Sequence, residues 1–179
     1  IVSSGAVIVE NGKPAVEFDG TNDYLSNSGN LTYTSGLSLY MTYNLDTKTG
    51  AGRIFCDDIT GQQGYFIAYD NGTIDCNDNN TGFKGFTVAN SSGSQILHAV
   101  NINGSTGAYV VAYDGVSNTG TIASWSGPIN STNTANIGIM ASGNGAQFGN
   151  GKIQEIVAYP SDESTNRTNI ESNINTFYS

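Results

Sequence analysis

Few residues of this sequence have the type and spacing that catalysis requires. A Ser-His-Asp triad would have to use His98, the single histidine. His98 alternates with Ile96, Val100 and Ile102, so on a strand it shares their apolar face. A structural hydrogen bond, not a substrate, is its expected partner there. Glycoside hydrolysis needs two carboxylates flanking one bond, and Glu17 with Asp19 is the nearest approach to such a pair. Glu155 has Ile153, Gln154, Ile156 and Val157 around it and no carboxylate partner on its strand, while Glu163 and Glu171 read as a solvated helix face. Gly143-Asn144-Gly145 and Gly149-Asn150-Gly151 lack the lysine of a phosphate-cradling loop and read as plain loops. No enzyme is expected.

Binding chemistry is better represented. Asp57-Asp58 ends one apolar run, and Asp75 and Asp78, with Asn77, Asn79 and Asn80, end a later one. Hard oxygen donors from adjacent loops suit Ca²⁺, so Asp57, Asp58 and Asp78 are the candidate metal ligands. Asp and Asn also populate turns because they tolerate left-handed backbone, and no EF-hand spacing is present. No cofactor is required by this reading, and calcium is the one ion carried forward. Sugar binding would use exposed aromatic rings beside amides and hydroxyls. The candidates are Tyr65, Phe83, Phe86 and Trp125, set against the tendency of strand aromatics to fill cores.

Two cysteines, Cys56 and Cys76, bracket the strand-like 64–70. A three-segment meander puts them two strands apart, roughly 9–10 Å at ~4.8 Å per strand. A disulfide needs Cα atoms within about 7 Å. Free thiols are therefore the expected state, with a bridge as the open alternative. One histidine and two cysteines do not make a zinc cluster.

The elements that must position these groups follow from composition. The chain has 179 residues, of which 23 Gly, 22 Asn, 19 Ser and 18 Thr make 82. Charged residues are 12%, half of the usual ~25%. With 37% hydrophobic residues and ten Tyr the chain is not disordered. Gly, Asn, Ser and Thr disfavour helix interiors, which excludes a bundle. A net charge of −9 with six scattered Lys and Arg argues against nucleic acid and against an anionic membrane. No stretch approaches the ~20 apolar residues of a membrane span. The chain begins Ile1-Val2 without Met, which reads as a processed product or part of a longer chain; the same start in activated serine proteases carries no weight without their motifs. Seven Asn-x-Ser/Thr sequons occur, several by chance in so polar a sequence.

Short apolar runs alternate with turn signals at the rhythm of sandwiches and barrels. They cover 6–9, 15–19, 23–26, 37–45, 52–56, 64–69, 73–76, 85–89, 95–103, 108–113, 116–123, 135–141 and 151–159. Asn11-Gly12, Asn71-Gly72, Asn103-Gly104 and Asp114-Gly115 supply the positive φ of two-residue hairpin turns. The alternation in 37–43 predicts one buried face. In 151–159, Ile153, Glu155, Val157 and Tyr159 share a face with an irregularity that suggests a central strand or a bulge. Pro160 ends that strand. Ile170, Ile174 and Phe177 then recur at helical spacing, with Asp162 or Ser164 as the cap, so 162–178 is expected to contain one short amphipathic helix.

Two segments carry a family resemblance. Pro14-Ala15-Val16-Glu17-Phe18-Asp19-Gly20-Thr21-Asn22-Asp23-Tyr24-Leu25 resembles the F-D-G-x-x-D-Y strand pair that opens laminin-G-like, concanavalin A-like jelly rolls. Residues 149–159 are similar to the closing F-x-G-x-I-x-E-I-x-x-Y strand of that superfamily. Between them, Gln95-Ile96-Leu97-His98-Ala99-Val100 resembles a strand where the family often places a His, and 101–113 its hairpin. The 161–178 segment resembles a helix found in bacteriophage virion proteins with such domains. The resemblance implies an all-β fold, a two-sheet antiparallel β-sandwich (jelly roll) with one short C-terminal α-helix, formed by 1–179 as a single domain. It implies glycan or protein binding, a rim calcium in several members, and hydrolysis in the glucanase branch. That branch carries Glu-x-Asp-x-x-Glu, whose last acid is missing after Glu17-Phe18-Asp19.

The expected function is thus a non-catalytic phage capsid- or tail-associated decoration domain with a glycan-adhesion role, at a virion surface or otherwise extracellular. Its partners would be a surface glycan or other virion proteins, with multi-copy or homo-oligomeric display, no nucleic acid and no membrane insertion. A secreted or cell-surface carbohydrate-binding module is the alternative, and a divergent glycan hydrolase the second alternative.

Overall fold

The structure, a computed structural model, describes residues 2–3, 6–27, 35–46, 51–56, 65–70, 73–78, 87–89, 94–122, 137–139 and 148–179. In chain order these form β1 (Val2–Ser3), β2 (Ala6–Val7), β3 (Val9–Glu10), β4 (Lys13–Pro14) and β5 (Val16–Asp19). Next come β6 (Leu25–Asn27), β7 (Gly36–Leu45), β8 (Ala51–Cys56), β9 (Tyr65–Asp70), β10 (Thr73–Asp78) and β11 (Thr87–Ala89). The strands finish with β12 (Ile96–Asn103), β13 (Ala108–Tyr113), β14 (Val116–Thr121), β15 (Ile137–Ile139) and β16 (Asn150–Tyr159), and α1 (Arg167–Tyr178) follows. Each apolar run of the sequence contains a strand.

Two six-stranded antiparallel sheets are ordered β14-β13-β12-β7-β16-β5 and β11-β10-β9-β8-β15-β6. Their facing sides share one core, in which Leu37, Leu39, Met41, Tyr43 and Leu45 of β7 and Ile96, Val100 and Ile102 of β12 meet Ile54 and Phe55 of β8. β7 lies between β12 and β16, which are far from it and from each other in sequence, as jelly-roll connections require. This is the expected β-sandwich with a C-terminal helix.

β7 departs from the expected single buried face: every residue from Gly36 to Leu45 is buried. Its odd residues face the other sheet. Of its buried even residues, Ser38 is held by the turn before α1, donating to Ser161 O at 2.9 Å and accepting from Glu163 N–H at 2.8 Å, Tyr40 lies under α1, and Asn44 reaches the β3–β4 hairpin. Tyr40 packs with Leu97, Ala99, Ile174 and Tyr178, and its hydroxyl donates to Asn101 Oδ1 at 2.9 Å. Asn44 Nδ2 donates to Glu10 Oε1 at 2.9 Å. Alternation reports polarity, and here a polar face has been covered from outside.

β16 carries a bulge at Gln154: Ile153 pairs with Tyr43 and Glu155 with Thr42. The extra residue lets Ile153 and Ile156 both pack on the core, while Glu155 shares the outer face with Thr42. Ile153 therefore does not share the face of Glu155, Val157 and Tyr159, contrary to simple alternation.

The helix is shorter than 162–178 and starts after Asn166, which makes no side-chain cap bond. Asp162 instead closes the preceding turn by accepting from Ser164 N–H at 3.0 Å. Its buried stripe is Glu171, Ile174 and Tyr178, not the expected one through Phe177, which is 54% exposed. Glu171 tolerates this position because Arg167 donates to both its carboxylate oxygens at 2.8 Å.

Asn11-Gly12 and Asp114-Gly115 adopt the expected positive φ at both positions. Asn103-Gly104 does not. Asn103 Oδ1 accepts from Ser105 N–H and Thr106 N–H at 3.0 and 3.1 Å, so its side chain builds a longer turn that closes at Gly107, φ 68°. Asn71-Gly72 lies outside the described residues.

Candidate functional site

Of the residues singled out from sequence, Asp57, Asp58, Phe83, Phe86 and Trp125 lie outside the described residues. Tyr65 and Asp78 are placed by backbone, and the ladder brings them together: Tyr65, first in β9, pairs with Asp78, last in β10. Cys56 pairs with Phe66 and Cys76 with Ile67, on strands separated by β9. The meander that made a disulfide geometrically unfavourable is thus present.

His98 is fully buried on the core face of β12, opposite Met41 and Tyr113. The Tyr43 hydroxyl is 3.4 Å from His98 Nδ1, and burial pushes the imidazole down to about 4. A neutral histidine enclosed between sheets has no access to a substrate, which fits the structural role expected of it.

Among the described residues, two clefts bring side chains to solvent in a concave setting. The first is built by the turn after β5. Asp19 Oδ1 accepts from Thr21 N–H at 2.7 Å and Asn22 N–H at 3.3 Å, and Asp19 N–H donates to Asp23 Oδ2 at 3.2 Å. These bonds, Thr21 N–H first, hold the Asp19 carboxyl below its usual range, so it is charged at neutral pH. The closed turn delivers Tyr24, 51% exposed, and Leu25 to the surface. Phe148 lies beside Tyr24, ring centroids 6.1 Å apart. Asp46 is brought in at the end of β7, where its N–H donates to Asn150 O at 3.2 Å. Glu17, Asp19, Asp23, Tyr24, Leu25, Asp46 and Asn150 are among the residues lining a cleft of about 740 Å³, so the Glu17 and Asp19 carboxylates singled out from sequence both border it.

An aromatic face beside acceptors that can take two hydroxyl protons each is a sugar-binding combination. Sequence reasoning placed Tyr24 in a motif but not in a site. The missed signal is the run Asp19-Gly20-Thr21-Asn22-Asp23, a turn that satisfies itself and leaves the next aromatic nothing to pack under. Among the described residues no three His, Cys, Asp or Glu side chains are grouped to hold a metal ion.

The second cleft, of about 800 Å³, runs between α1 and β16 and is lined by Glu155, Asn169, Asn173, Phe177 and Tyr178 among others. Burial, and next the charge of Glu155, raise the Tyr178 phenol, which stays a proton donor.

No family model matches the sequence, and no curated protein does. Solved structures do match. The native heptameric SAP-like pentraxin of Limulus polyphemus superposes with a TM-score of 0.65 at 16% identity, over 87% of this chain and 79% of its own. The shared feature is the fold, a two-sheet antiparallel β-sandwich. The CBM40 domain of the Ruminococcus gnavus IT-sialidase, solved with α2,3-sialyllactose, gives 0.61 at 10% identity over 84% of this chain and 91% of that one. The leech intramolecular trans-sialidase, complexed with 2,7-anhydro-Neu5Ac, gives 0.64 at 12% identity. The match covers 83% of this chain but only 25% of that one.

Proposed function

We propose that the chain is a non-catalytic glycan-binding domain that works outside the cell, with the Tyr24 cleft as its binding site. The observation that carries the reading is the half-exposed Tyr24 ring, set beside Phe148 in a concave cleft with Asp19, Asp23, Asp46 and Asn150. Two jelly rolls that match most of this chain and most of their own length, the pentraxin and the CBM40 domain, support a binding module over an enzyme. The four carboxylates of the cleft, Glu17, Asp19, Asp23 and Asp46, oppose a further negative charge, so a neutral glycan fits here better than the sialylated one of the CBM40 structure.

Titration of the full chain on a glycan array tests this. Neutral glycans should bind, and Tyr24→Ala should weaken them about five- to thirtyfold with an unchanged melting temperature, as loss of one stacking platform of ~1–2 kcal/mol implies. Undiminished binding by Tyr24→Ala would remove the cleft from the reading. Reducing-sugar release from any glucan on incubation with the chain would overturn the non-catalytic assignment.

Two finer readings rest on sequence. Display on a phage particle follows from the resemblance of the C-terminal helix and is tested by finding the chain in symmetry-related copies on a purified virion. Calcium held by Asp57, Asp58 and Asp78 predicts a rise in melting temperature with millimolar Ca²⁺ that a chelator reverses; no rise removes it.

A further inference from the structure

We infer that the outer edge of β14 is a self-association surface, on which a second copy of this chain lays its own β14 antiparallel, about a two-fold axis through Thr119. The inference goes beyond the glycan-binding reading and uses none of the residues of the Tyr24 cleft.

The β13–β14 hairpin decides which backbone groups this edge presents. The two strands pair without a bulge, from Ala108 opposite Thr121 to Tyr113 opposite Val116. Ile122 continues the ladder, its N–H donating to Gly107 O at 2.9 Å. An antiparallel ladder turns alternate residues toward the neighbouring strand. Val116, Asn118, Gly120 and Ile122 are therefore bonded to the β13 side, and Ser117, Thr119 and Thr121 turn their N–H and C=O groups outward. These three residues are exposed. β14 ends its sheet, and among the described residues no strand lies beyond it.

Sheet edges are normally guarded against pairing by charge, proline, a bulge or shortness. The opposite edge of the same sheet, β5, has four residues and carries Glu17 and Asp19. The edges of the other sheet, β6 and β11, have three residues each. β14 has six, none of them charged and none proline. The occupant is a second copy because this edge matches itself in both charge and shape. Two chains of net charge −9 repel, yet residues 85–151 hold a single Asp, Asp114, and no Glu, Lys or Arg. Setting Thr119 opposite the partner's Thr119 also sets Ser117 opposite the partner's Thr121, hydroxyl pairs that stabilise antiparallel strands. That register forms about six N–H···O bonds. It also brings Val116, 78% exposed, opposite the partner's Ile122, a residue of the core cluster.

The joined sheets run from β5 of one copy to β5 of the other, which places the two Tyr24 clefts up to about 50 Å apart at ~4.8 Å per strand. Two clefts so spaced engage a glycan-dense surface together. One strand pair is a small interface beside the ~1,600 Å² standard, so micromolar affinity is expected.

Sedimentation velocity and amide hydrogen exchange of the full chain, at about 5 and about 500 µM, test this. A dimer should form at the higher concentration, and there the Ser117, Thr119 and Thr121 amides should exchange more slowly. Thr119→Lys and Thr119→Glu, each at an exposed position, should each weaken self-association about fivefold or more by opposing like charges. Mixing the two variants should restore the dimer through a Lys–Glu pair, a rescue that misfolded chains could not give. A monomer at the higher concentration would overturn the inference. So would a dimer whose edge amides stay unprotected, one that either variant leaves intact, or a mixture that fails to associate.

Discussion

At the scale of single residues, His98 gives the sharpest pH prediction. Its burial holds the folded-state pKa near 4, below the ~6.5 of an unfolded chain. Above pH 6.5 both states are neutral and the contribution to stability is complete. As pH falls toward 4 the unfolded state takes up a proton that the folded state refuses, and stability is lost at up to ~1.4 kcal/mol per pH unit. Thermal melts between pH 7 and 5 should show this loss, and His98→Leu should flatten the slope over that window. An unchanged slope in the variant would place the titration elsewhere. The position of His98 was legible because Ile96, Val100 and Ile102 alternate with it. The role of Tyr24 was not, because its exposure depends on a turn closed by Asp19 and Asp23, which no periodicity reports.

At the scale of elements, the joint between β16 and β7 sets the tightest tolerance. Gly151 has φ 147°, and a Cβ there would lie 2.2 Å from Asn44 O, a backbone atom that cannot swing aside. Gly12 also has positive φ, 72°, but a Cβ there meets nothing within 4 Å. Gly151→Ala should therefore cost roughly 3 kcal/mol or more, and Gly12→Ala only the ~1–2 kcal/mol of the left-handed backbone. Equal costs in urea unfolding would refute the close approach. Strand positions were readable from alternation and turn residues, and β13 was placed residue for residue. The covering of β7 was not, since Ser38, Thr42 and Asn44 look like a solvated face until the turn at 161–163, α1 and the β3–β4 hairpin are laid over that side of the strand. The bulge was readable only as an irregularity, because the choice between a bulge and a central strand depends on pairing with Tyr43 and Thr42.

At the scale of the molecule, low charge and an abundance of Asn, Ser and Thr describe a surface suited to hydrogen bonding with neutral partners. The net charge of −9 would make any charged ligand salt-sensitive, whereas a neutral glycan carries no long-range term. The dissociation constant for a neutral glycan should change less than about twofold between 50 and 500 mM NaCl, a range over which the Debye length falls about threefold. A strong salt dependence would point to an ionic ligand instead. The sandwich itself was legible from composition and rhythm; the assignment of work to one cleft needed the fold, because Asp46 and Tyr24 are brought together only by the order of strands.

The β3–β4 hairpin has a further consequence for how this protein comes apart. It is fastened mainly by polar ties to Glu10: from Asn44, from Lys152 at 3.5 Å, and from Gln154 Nε2 to the Glu10 carbonyl at 2.9 Å. Val9, Asn11, Gly12 and Pro14 are exposed, so lifting the hairpin uncovers little apolar area. Denaturant acts in proportion to newly exposed surface and has little purchase on such a motion. Amide hydrogens of the hairpin should exchange through local openings whose rate hardly responds to urea, while those of β7 and β12 exchange only when the whole sandwich unfolds.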